Sequence, residues 1–240
     1  MKTKTVGKRE KIKAKSTMTL KMLNDFLVQV EEAYEDCIKY EYFDIDDIPK
    51  FDKIIDLLYS KYYKIGSGSS RSVFALDKNT VIKMAINQKG IAQNLAELRV
   101  FEKAPEHVAK IKWYHPKGYY LIVERCTSLK RFLEDKDVNI DAADFSNYVD
   151  INCNKKYTVE NVEKIVKKFV KKTKDEAKYK PAVFKMLAKQ IKELATFIWK
   201  NKIDDIYDDQ LGVNKTGKIV LLDYGMNKEI WKKFYSCKTF

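Results

Sequence analysis

An acidic side chain closes a short apolar stretch near the end of the chain. Asp223 follows the apolar residues 220–222 and precedes Tyr224 and Gly225. A carboxylate in apolar surroundings costs free energy unless a cation compensates it, and Mg²⁺ prefers carboxylate and other hard oxygen ligands. We therefore predict that Asp223 holds a divalent metal ion.

A second group of polar residues stands in an acidic loop before Asp223. Asp205 lies eighteen positions before Asp223, and Gln210 follows five positions after Asp205. We predict that Asp205 accepts a proton from a substrate hydroxyl. Asp209 and Asn214 have a similar spacing, but we disfavour that register because residues 214–217 have the composition of a hairpin turn.

A glycine-rich segment upstream has the composition of a phosphate-binding loop. Glycines let the backbone approach phosphate oxygens and present N–H groups to them. A plain Gly/Ser turn between two strands has the same composition. Within residues 66–73 we predict nucleotide contacts at Gly66, Ser67, Gly68, Ser69 and Val73.

A lysine and a glutamate follow the glycine-rich segment along the chain. Lys83 ends an apolar strand, and Glu97 stands fourteen positions later on a predicted helix. A lysine held by a carboxylate can neutralise the α- and β-phosphates of a nucleotide. An ordinary surface lysine and an unrelated surface glutamate are the alternative. We favour an ion pair between Lys83 and Glu97.

The period of the apolar pattern changes along the chain and predicts the strands and helices that position these residues. Period-2 apolar patterns predict five strands, and a 3.6-residue period predicts a helix between the third and fourth strands. The strands are predicted at 62–65, 73–77, 80–84, 108–114 and 119–124, and the helix at 91–103.

Helical patterns flank this sheet on both sides. Before it, residues 20–38 and 51–58 read as two amphipathic helices. After it we predict helices at 129–134, 162–170 and 184–198, and a hairpin of 211–213 with 218–222. The long helix runs directly into the acidic loop, so it brings that loop towards the hairpin that ends at Asp223.

Taken together, these residues resemble the protein-kinase-like superfamily, and within it the compact bacterial and phage-encoded Ser/Thr kinase-like proteins. The resemblance covers about residues 62–226. It implies an α+β, bilobal fold with a five-stranded antiparallel N-lobe sheet and a truncated, mainly helical C-lobe, preceded by an N-terminal helical extension. We place a basic flexible tail at 1–16, the extension at 17–60, the N-lobe at 61–126 and a minimal C-lobe at 127–240.

The resemblance also assigns roles to the residues above. Lys83, Glu97 and Asp205 correspond to the catalytic residues of the family, and Asp223 and Gln210 to its metal ligands. Glu124 and Cys126 match the connector whose backbone reads adenine, with Val123 at the border of that pocket. The cofactors implied are ATP and Mg²⁺.

The sequence departs from the family pattern at several positions. Arg71 stands where the third glycine of the loop is usual, so it either adds a phosphate contact or obstructs the loop. Ile203 and Asp204 replace a His-Arg pair, and Gln210 replaces an asparagine. Only fifteen residues follow Gly225. We therefore expect no activation loop and little of the peptide-docking surface of ordinary protein kinases.

Composition limits the classes of protein that need consideration. The chain has 240 residues and a net charge of +13, with 45% hydrophobic residues. No apolar run approaches the roughly 20 residues that span a bilayer, so we expect a cytoplasmic protein (host cytoplasm if phage-encoded) with no membrane association. The four cysteines have no paired spacing, which favours reduced thiols. Seven basic side chains against one glutamate give residues 1–16 a charge of +6.

Three functions follow from these observations. The first is an ATP-dependent phosphotransferase, a protein Ser/Thr kinase with a protein substrate or partner. The second is a nucleotide-binding pseudokinase that acts as an interaction module, motivated by Arg71, Gln210 and the missing His-Arg pair. The third is nucleic-acid binding through the basic residues 1–16. The oligomeric state is left open.

Overall fold

A computed structural model describes two main stretches of the chain, residues 58–136 and 208–236, together with the helical segment 181–203. It also describes residues 25, 27–29, 31, 32, 56 and 206, and only the backbone of 181–185, 188 and 208. The predicted tail at 1–16, the predicted helix at 162–170, and Asp204 and Asp205 lie outside the described residues.

The first half of the described chain is a five-stranded antiparallel sheet with strand order β1-β2-β3-β5-β4. The strands are β1 (Tyr63–Ser67), β2 (Arg71–Ala75), β3 (Thr80–Ala85), β4 (Ile111–Tyr114) and β5 (Tyr120–Glu124). The central strands β3 and β5 are almost entirely buried, whereas four of the five residues of the edge strand β1 are exposed. The predicted α+β fold class with its five-stranded sheet is therefore confirmed.

Two strand boundaries differ from the sequence prediction near the glycine-rich segment. β1 extends to Ser67 and β2 begins at Arg71, because Gly66 pairs with Val73 and Ser67 with Ser72. The pairing register of the two strands shifts between Lys64 and Gly66. The hairpin is thus tighter than expected, and Arg71 belongs to a strand and not to the loop.

One helix, α1 (Gln88–Lys103), connects β3 to β4. It begins three residues before the predicted start because the Asn87 side chain caps it, accepting from Gly90 N at 3.1 Å. The helix ends before Pro105, which cannot continue it. Its buried face contains Gln93, Asn94 and Glu97. Buried polar side chains are costly without partners, so this face is a candidate for function.

The second half combines helices with a three-stranded sheet of order β6-β7-β8. Its elements are β6 (Thr127–Ser128), α2 (Leu129–Asp135), α3 (Pro181–Asn201), β7 (Leu211–Val213), β8 (Ile219–Leu221) and α4 (Lys228–Phe234). The predicted turn between β7 and β8 is confirmed. Asn214 Oδ1 accepts from the backbone N–H groups of Thr216 and Lys218, both at 3.0 Å, and Gly217 has a φ of +80°.

A large apolar core fixes the end of β8. Leu129 of α2 and Leu187 and Ile191 of α3 belong to one buried cluster with Leu221 of β8. Tyr224 belongs to the same cluster. The residues that flank Asp223 are therefore held in a packed interior.

The described residues before the sheet are helical at 27–29, 31–32 and 58–61. Leu27 and Leu58 are buried, and the Tyr59 ring packs edge-on against Phe74 of β2. The Glu31 carboxylate also lies 3.4 Å from His115 Nε2. The division of the chain into an extension and two lobes stays a prediction. None of the helices that the structure describes combines the length and apolarity needed to cross a bilayer.

Candidate functional site

Lys83 reaches from the centre of the sheet to the buried face of α1. It lies opposite Val73 in the β2–β3 register, so the two side chains share one face of the sheet. Its Nζ lies 2.7 Å from Glu97 Oε2 and 2.9 Å from Glu97 Oε1. It also donates to the backbone carbonyl of Leu222. The ion pair that the sequence predicts between Lys83 and Glu97 is present.

Glu97 binds two cations and not one. Its side chain is 0% exposed, and Arg71 Nη1 donates to Glu97 Oε1 at 2.6 Å. The backbone N–H of Tyr224 also lies 3.4 Å from Glu97 Oε1. This carboxylate therefore connects the sheet, α1 and the segment that follows β8.

Arg71 bridges the two carboxylates of the site. Its Nη1 donates to Glu97, its Nη2 donates to Asp223 Oδ1, and Asn94 Oδ1 lies 3.4 Å from Nη1. The side chain is only 5% exposed. Burial alone would lower the pKa of Arg71, but Asp223 and Glu97 outweigh burial and raise it. The sequence left open whether this arginine contacts phosphate or obstructs the loop, and gave no sign of its bond to Asp223.

Asp223 is ionised and partly open to solvent. Its side chain is 41% exposed. Burial of the carboxylate would raise its pKa, but Arg71 and Lys83 outweigh burial and lower the pKa to about 2.

The glycine-rich segment is anchored at one end and open at the other. Ser70 O accepts from Ile86 N at 2.8 Å, and Ser70 Oγ donates to Gln93 Oε1 at 2.7 Å. A Cβ added at Gly66 or Gly68 would meet nothing within 4 Å. These two glycines leave room beside the backbone that a ligand can occupy.

Tight packing behind Asp223 explains the glycine two positions later. A Cβ at Gly225 would lie 2.6 Å from the backbone oxygen of Gln93, closer than real Cβ contacts. Tyr224 is buried and donates its hydroxyl to Ala109 O at 3.3 Å.

Sequence reasoning missed Gln93 and Asn94. Their polarity on a buried helix face is the signal that would have found them.

The connector residues lie where β5 leaves the sheet. Glu124 pairs with Thr80 and accepts from Lys110 N at 2.9 Å, and Val123 is buried in a cluster against which Val73 packs. Cys126 is half-buried. Burial and the charge of Glu124 raise the pKa of the Cys126 thiol to about 12, although the charge of Lys83 acts in the opposite direction.

The site fits a nucleotide better than it fits a metal ion. The space beside Gly66 and Gly68 and the apolar Val73 and Val123 fit a nucleotide. Asp223, by contrast, is bound by Arg71, and in the described part of the chain no three His, Cys, Asp or Glu side chains are grouped to hold a metal. Gln210 is half-buried, and its backbone oxygen accepts from Leu222 N at 2.7 Å. Arg71 compensates the charge of Asp223 in this conformation, and the metal-ligand roles assigned to Asp223 and Gln210 stay predictions.

Comparisons with known proteins find structural similarity only. No protein-family model matches the chain, and no curated protein sequence matches it. Among solved structures, SAICAR synthase from Saccharomyces cerevisiae complexed with SAICAR has a TM-score of 0.36 at 13% identity, covering 68% of this chain and 73% of the other.

Several of the similar structures carry nucleotides. The GDP and kanamycin complex of APH(2")-IIia has a TM-score of 0.34 at 11% identity, covering 73% of this chain and 72% of the other. The streptomycin and ATP complex of APH(2")-IIa has a TM-score of 0.32 at 7% identity, covering 74% and 70%. All three similarities are distant.

Three parts of the described structure resemble the arrangement found in the protein-kinase-like superfamily. A lysine on the third strand pairs with a glutamate on the helix that follows it, below a glycine-containing hairpin. Protein kinases hold nucleotide phosphates with the same three parts. The chain departs from that pattern in the arginine that joins the pair to Asp223.

Proposed function

We propose that this chain is an ATP-dependent phosphotransferase that transfers the γ-phosphate of ATP to the hydroxyl of a protein serine or threonine. The observation that carries the proposal is the buried ion pair of Lys83 with Glu97, which lies beside Asp223. Structural ion pairs also occur in ordinary interiors. Here the pair lies near the glycine-rich segment, which has open space beside Gly66 and Gly68. An ion pair that only stabilises the fold has no need of such a segment.

The nucleotide would lie between the glycine loop and the segment that follows β8. Val73 and Val123 offer apolar contacts for the base, and the backbone near Glu124 and Cys126 offers hydrogen bonds to it. Gly68 N already donates to Arg71 O, so the backbone N–H groups of Ser69 and Ser70 are the ones that would face the phosphates. Burial of the phosphates next to fixed cations strengthens their binding, because the local dielectric constant is lower than that of water.

The transfer step needs an oriented hydroxyl and compensation of negative charge. The acceptor oxygen forms a bond to the γ-phosphorus while the bond from that phosphorus to the leaving oxygen of ADP breaks. We assign the acceptor proton to the carboxylate of Asp205, which lies outside the described residues. Cationic side chains fixed near the phosphates stabilise the charge on the transferring group.

We propose a protein as the acceptor because the sequence offers no additional acidic lid that would select a cationic small molecule. The basic residues 1–16 are then available for an acidic partner or a nucleic acid. Both assignments are proposals about segments outside the described residues.

A second candidate function is a nucleotide-binding pseudokinase that acts as an interaction module. The specific observation in its favour is the bond between Arg71 and Asp223, which occupies the carboxylate assigned to metal in active kinases. A protein of this kind would bind ATP without transferring phosphate.

Transfer of labelled phosphate distinguishes the two candidates. The purified chain is incubated with γ-labelled ATP and a degenerate peptide library containing serine and threonine, in parallel with Lys83→Met and Asp223→Ala. We expect label in the wild type and its loss in both variants. Lys130→Met is the matched control, because Lys130 is exposed on α2, and it should keep wild-type transfer.

The other outcomes have distinct meanings. Stabilisation of the fold by ATP without any transfer supports the pseudokinase. If neither transfer nor nucleotide binding is detected, both candidates fail. Where the wild type transfers phosphate, a comparison of Asp205→Asn with Asp204→Asn tests the assigned base, and only the former should abolish transfer.

A further inference from the structure

We propose that Arg71 supplies the cation that Asp223 requires, so that this site binds nucleotide phosphates without a divalent metal ion. The inference rests on the proposed function, since it places a nucleotide in the same cleft. It assigns Arg71, which stands at a glycine position of the family pattern, as the principal phosphate-binding side chain.

The balance of charge in the site is the first argument. Two carboxylates, Glu97 and Asp223, face two cations, Lys83 and Arg71, so the four charges cancel. Without Arg71 the other three would leave one negative charge beside the phosphates. A divalent ion is the usual remedy for such a deficit. Arg71 removes the deficit within the chain itself.

The supply of hydrogen-bond donors is the second argument. An ammonium group has three donors, and Lys83 directs them at both oxygens of Glu97 and at Leu222 O. A guanidinium has five N–H groups, and three of those of Arg71 are directed at Asn94, Glu97 and Asp223. The remaining two have no acceptor among the residues that the structure describes. Arg71 can therefore bind phosphate oxygens while keeping its present contacts, whereas Lys83 must first release one.

The position of Arg71 is the third argument. It is the first residue of β2, and its backbone oxygen accepts from Gly68 N at 3.0 Å. Its side chain thus starts at the end of the loop that would cover the phosphates. Arg71 and Val73 are two residues apart on one strand, so both face the cleft side of the sheet together with Lys83. A planar guanidinium also matches phosphate oxygens in pairs, which an ammonium does not.

Displacement of Arg71 by a metal ion would be unfavourable. A metal on Asp223 Oδ1 would have to remove a guanidinium that is 5% exposed and that also binds the fully buried Glu97. The positive charge of the metal would also lie beside that of Arg71, which Asp223 compensates at present, and like charges repel each other. Nucleotide binding through Arg71 avoids that loss.

Nucleotide affinity with and without metal tests the inference. The binding of a fluorescent ATP analogue is followed by anisotropy, once with excess EDTA and once with millimolar Mg²⁺. We expect the wild-type Kd to agree within about twofold between the two conditions. In Arg71→Gln we expect Kd in EDTA to rise by about 10- to 100-fold, as for loss of charged hydrogen bonds, and Mg²⁺ to restore much of the affinity.

Matched variants separate this role from general effects of charge. Arg99→Gln removes an exposed arginine from α1 and should bind as the wild type does in both conditions. Arg71→Lys keeps the charge but loses the paired geometry, so its Kd in EDTA should lie between those of the wild type and Arg71→Gln. Thermal unfolding of each variant shows whether it is folded.

The outcomes that overturn the inference differ from those that overturn the proposed function. A wild type that binds the analogue only with Mg²⁺ refutes the role of Arg71 and leaves the proposed function standing. The comparison of wild-type binding with and without Mg²⁺ needs no variant, so it tests the inference even if Arg71→Gln does not fold. A wild type that binds the analogue in neither condition refutes both.

Discussion

Glu97 is the one fully buried carboxylate among the described residues, and Lys83 and Arg71 share it. Two cations on one carboxylate form a network in which each contact limits the movement of the others. The consequence reaches Asp223, because Arg71 holds it through the same guanidinium. Removal of any member should therefore change both stability and ligand binding.

Replacement of Lys83 tests this network through stability. Lys83→Met leaves Glu97 buried with Arg71 alone, and we expect a loss of about 3 kcal/mol in the free energy of unfolding. Urea denaturation measures it. The double variant Lys83→Met with Glu97→Gln should lose less than the sum of the single losses, because the buried charge is gone. A loss of under about 0.5 kcal/mol in Lys83→Met, as expected of surface changes, would contradict the network.

Cys126 provides a test that depends on pH. The thiolate is the reactive form of cysteine, and the pKa of this thiol is raised to about 12 by burial and by Glu124. Folded protein at neutral pH should therefore alkylate slowly at Cys126, with a rate that rises about tenfold per pH unit below that pKa. Mass spectrometry of the Cys126 peptide after iodoacetamide treatment gives the rate.

A matched pair of variants measures how much the Glu124 carboxylate contributes to the raised pKa of Cys126. Glu124→Gln removes a negative charge that raises the pKa of Cys126, so its alkylation should be faster at a given pH. Glu134→Gln, exposed on α2, should leave the rate unchanged. Alkylation of wild-type Cys126 as fast as that of glutathione at neutral pH would mean that its pKa is not raised.

At the scale of elements, α1 connects the parts of the site. Its first turn approaches the glycine loop, since a Cβ at Gly90 would lie 2.0 Å from Ser70 O. Its middle carries Gln93 and Glu97, which contact the loop and the residues after β8. Tyr235, directly after α4, adds a further contact, because its Oη lies 3.3 Å from Gln93 Nε2. A movement of α1 would therefore move the loop and Asp223 together.

Two glycine substitutions should have opposite consequences. Gly68→Ala places a methyl group in open space, so the free energy of unfolding should change by less than about 1 kcal/mol. The methyl group would, however, occupy room proposed for phosphates, and nucleotide affinity should fall. Gly90→Ala should cost about 1–3 kcal/mol by overpacking against backbone. Thermal unfolding and analogue binding measure both effects.

Gly217→Ala separates loss of ligand space from general effects of replacing glycine. Gly217 lies at a positive φ in an exposed turn, with open space for a Cβ, so the variant should be less stable and yet bind nucleotide normally. If Gly68→Ala binds the ATP analogue as tightly as the wild type, the phosphates do not lie where we place them.

At the scale of the whole molecule, the sequence predicted the parts that follow from period and order. Alternating apolar residues located all five strands, and the composition of residues 214–217 identified the hairpin turn. Lys83 and Glu97 were predicted as a pair from their order after the loop. These features depend on local pattern, which a single sequence contains.

The arginine bridge could not be predicted in the same way. Arg71 and Asp223 are 152 positions apart, and no local pattern joins them. The short strand β6 and the helix α4 were also missed. β6 has two residues and depends on its pairing with β7, and α4 begins with an asparagine cap after a segment that resembles a loop. Long-range contacts decide each of these features.

A crystal structure with a non-hydrolysable ATP analogue, grown in EDTA, tests the central claim most directly. The claim is that the cleft between the glycine loop and Asp223 binds nucleotide phosphates through side chains of this chain. We predict the triphosphate below residues 66–70, with its oxygens within hydrogen-bond distance of the Arg71 guanidinium. Phosphates bound away from both Arg71 and Lys83, or crystals that take up no nucleotide at saturating concentration, would contradict it.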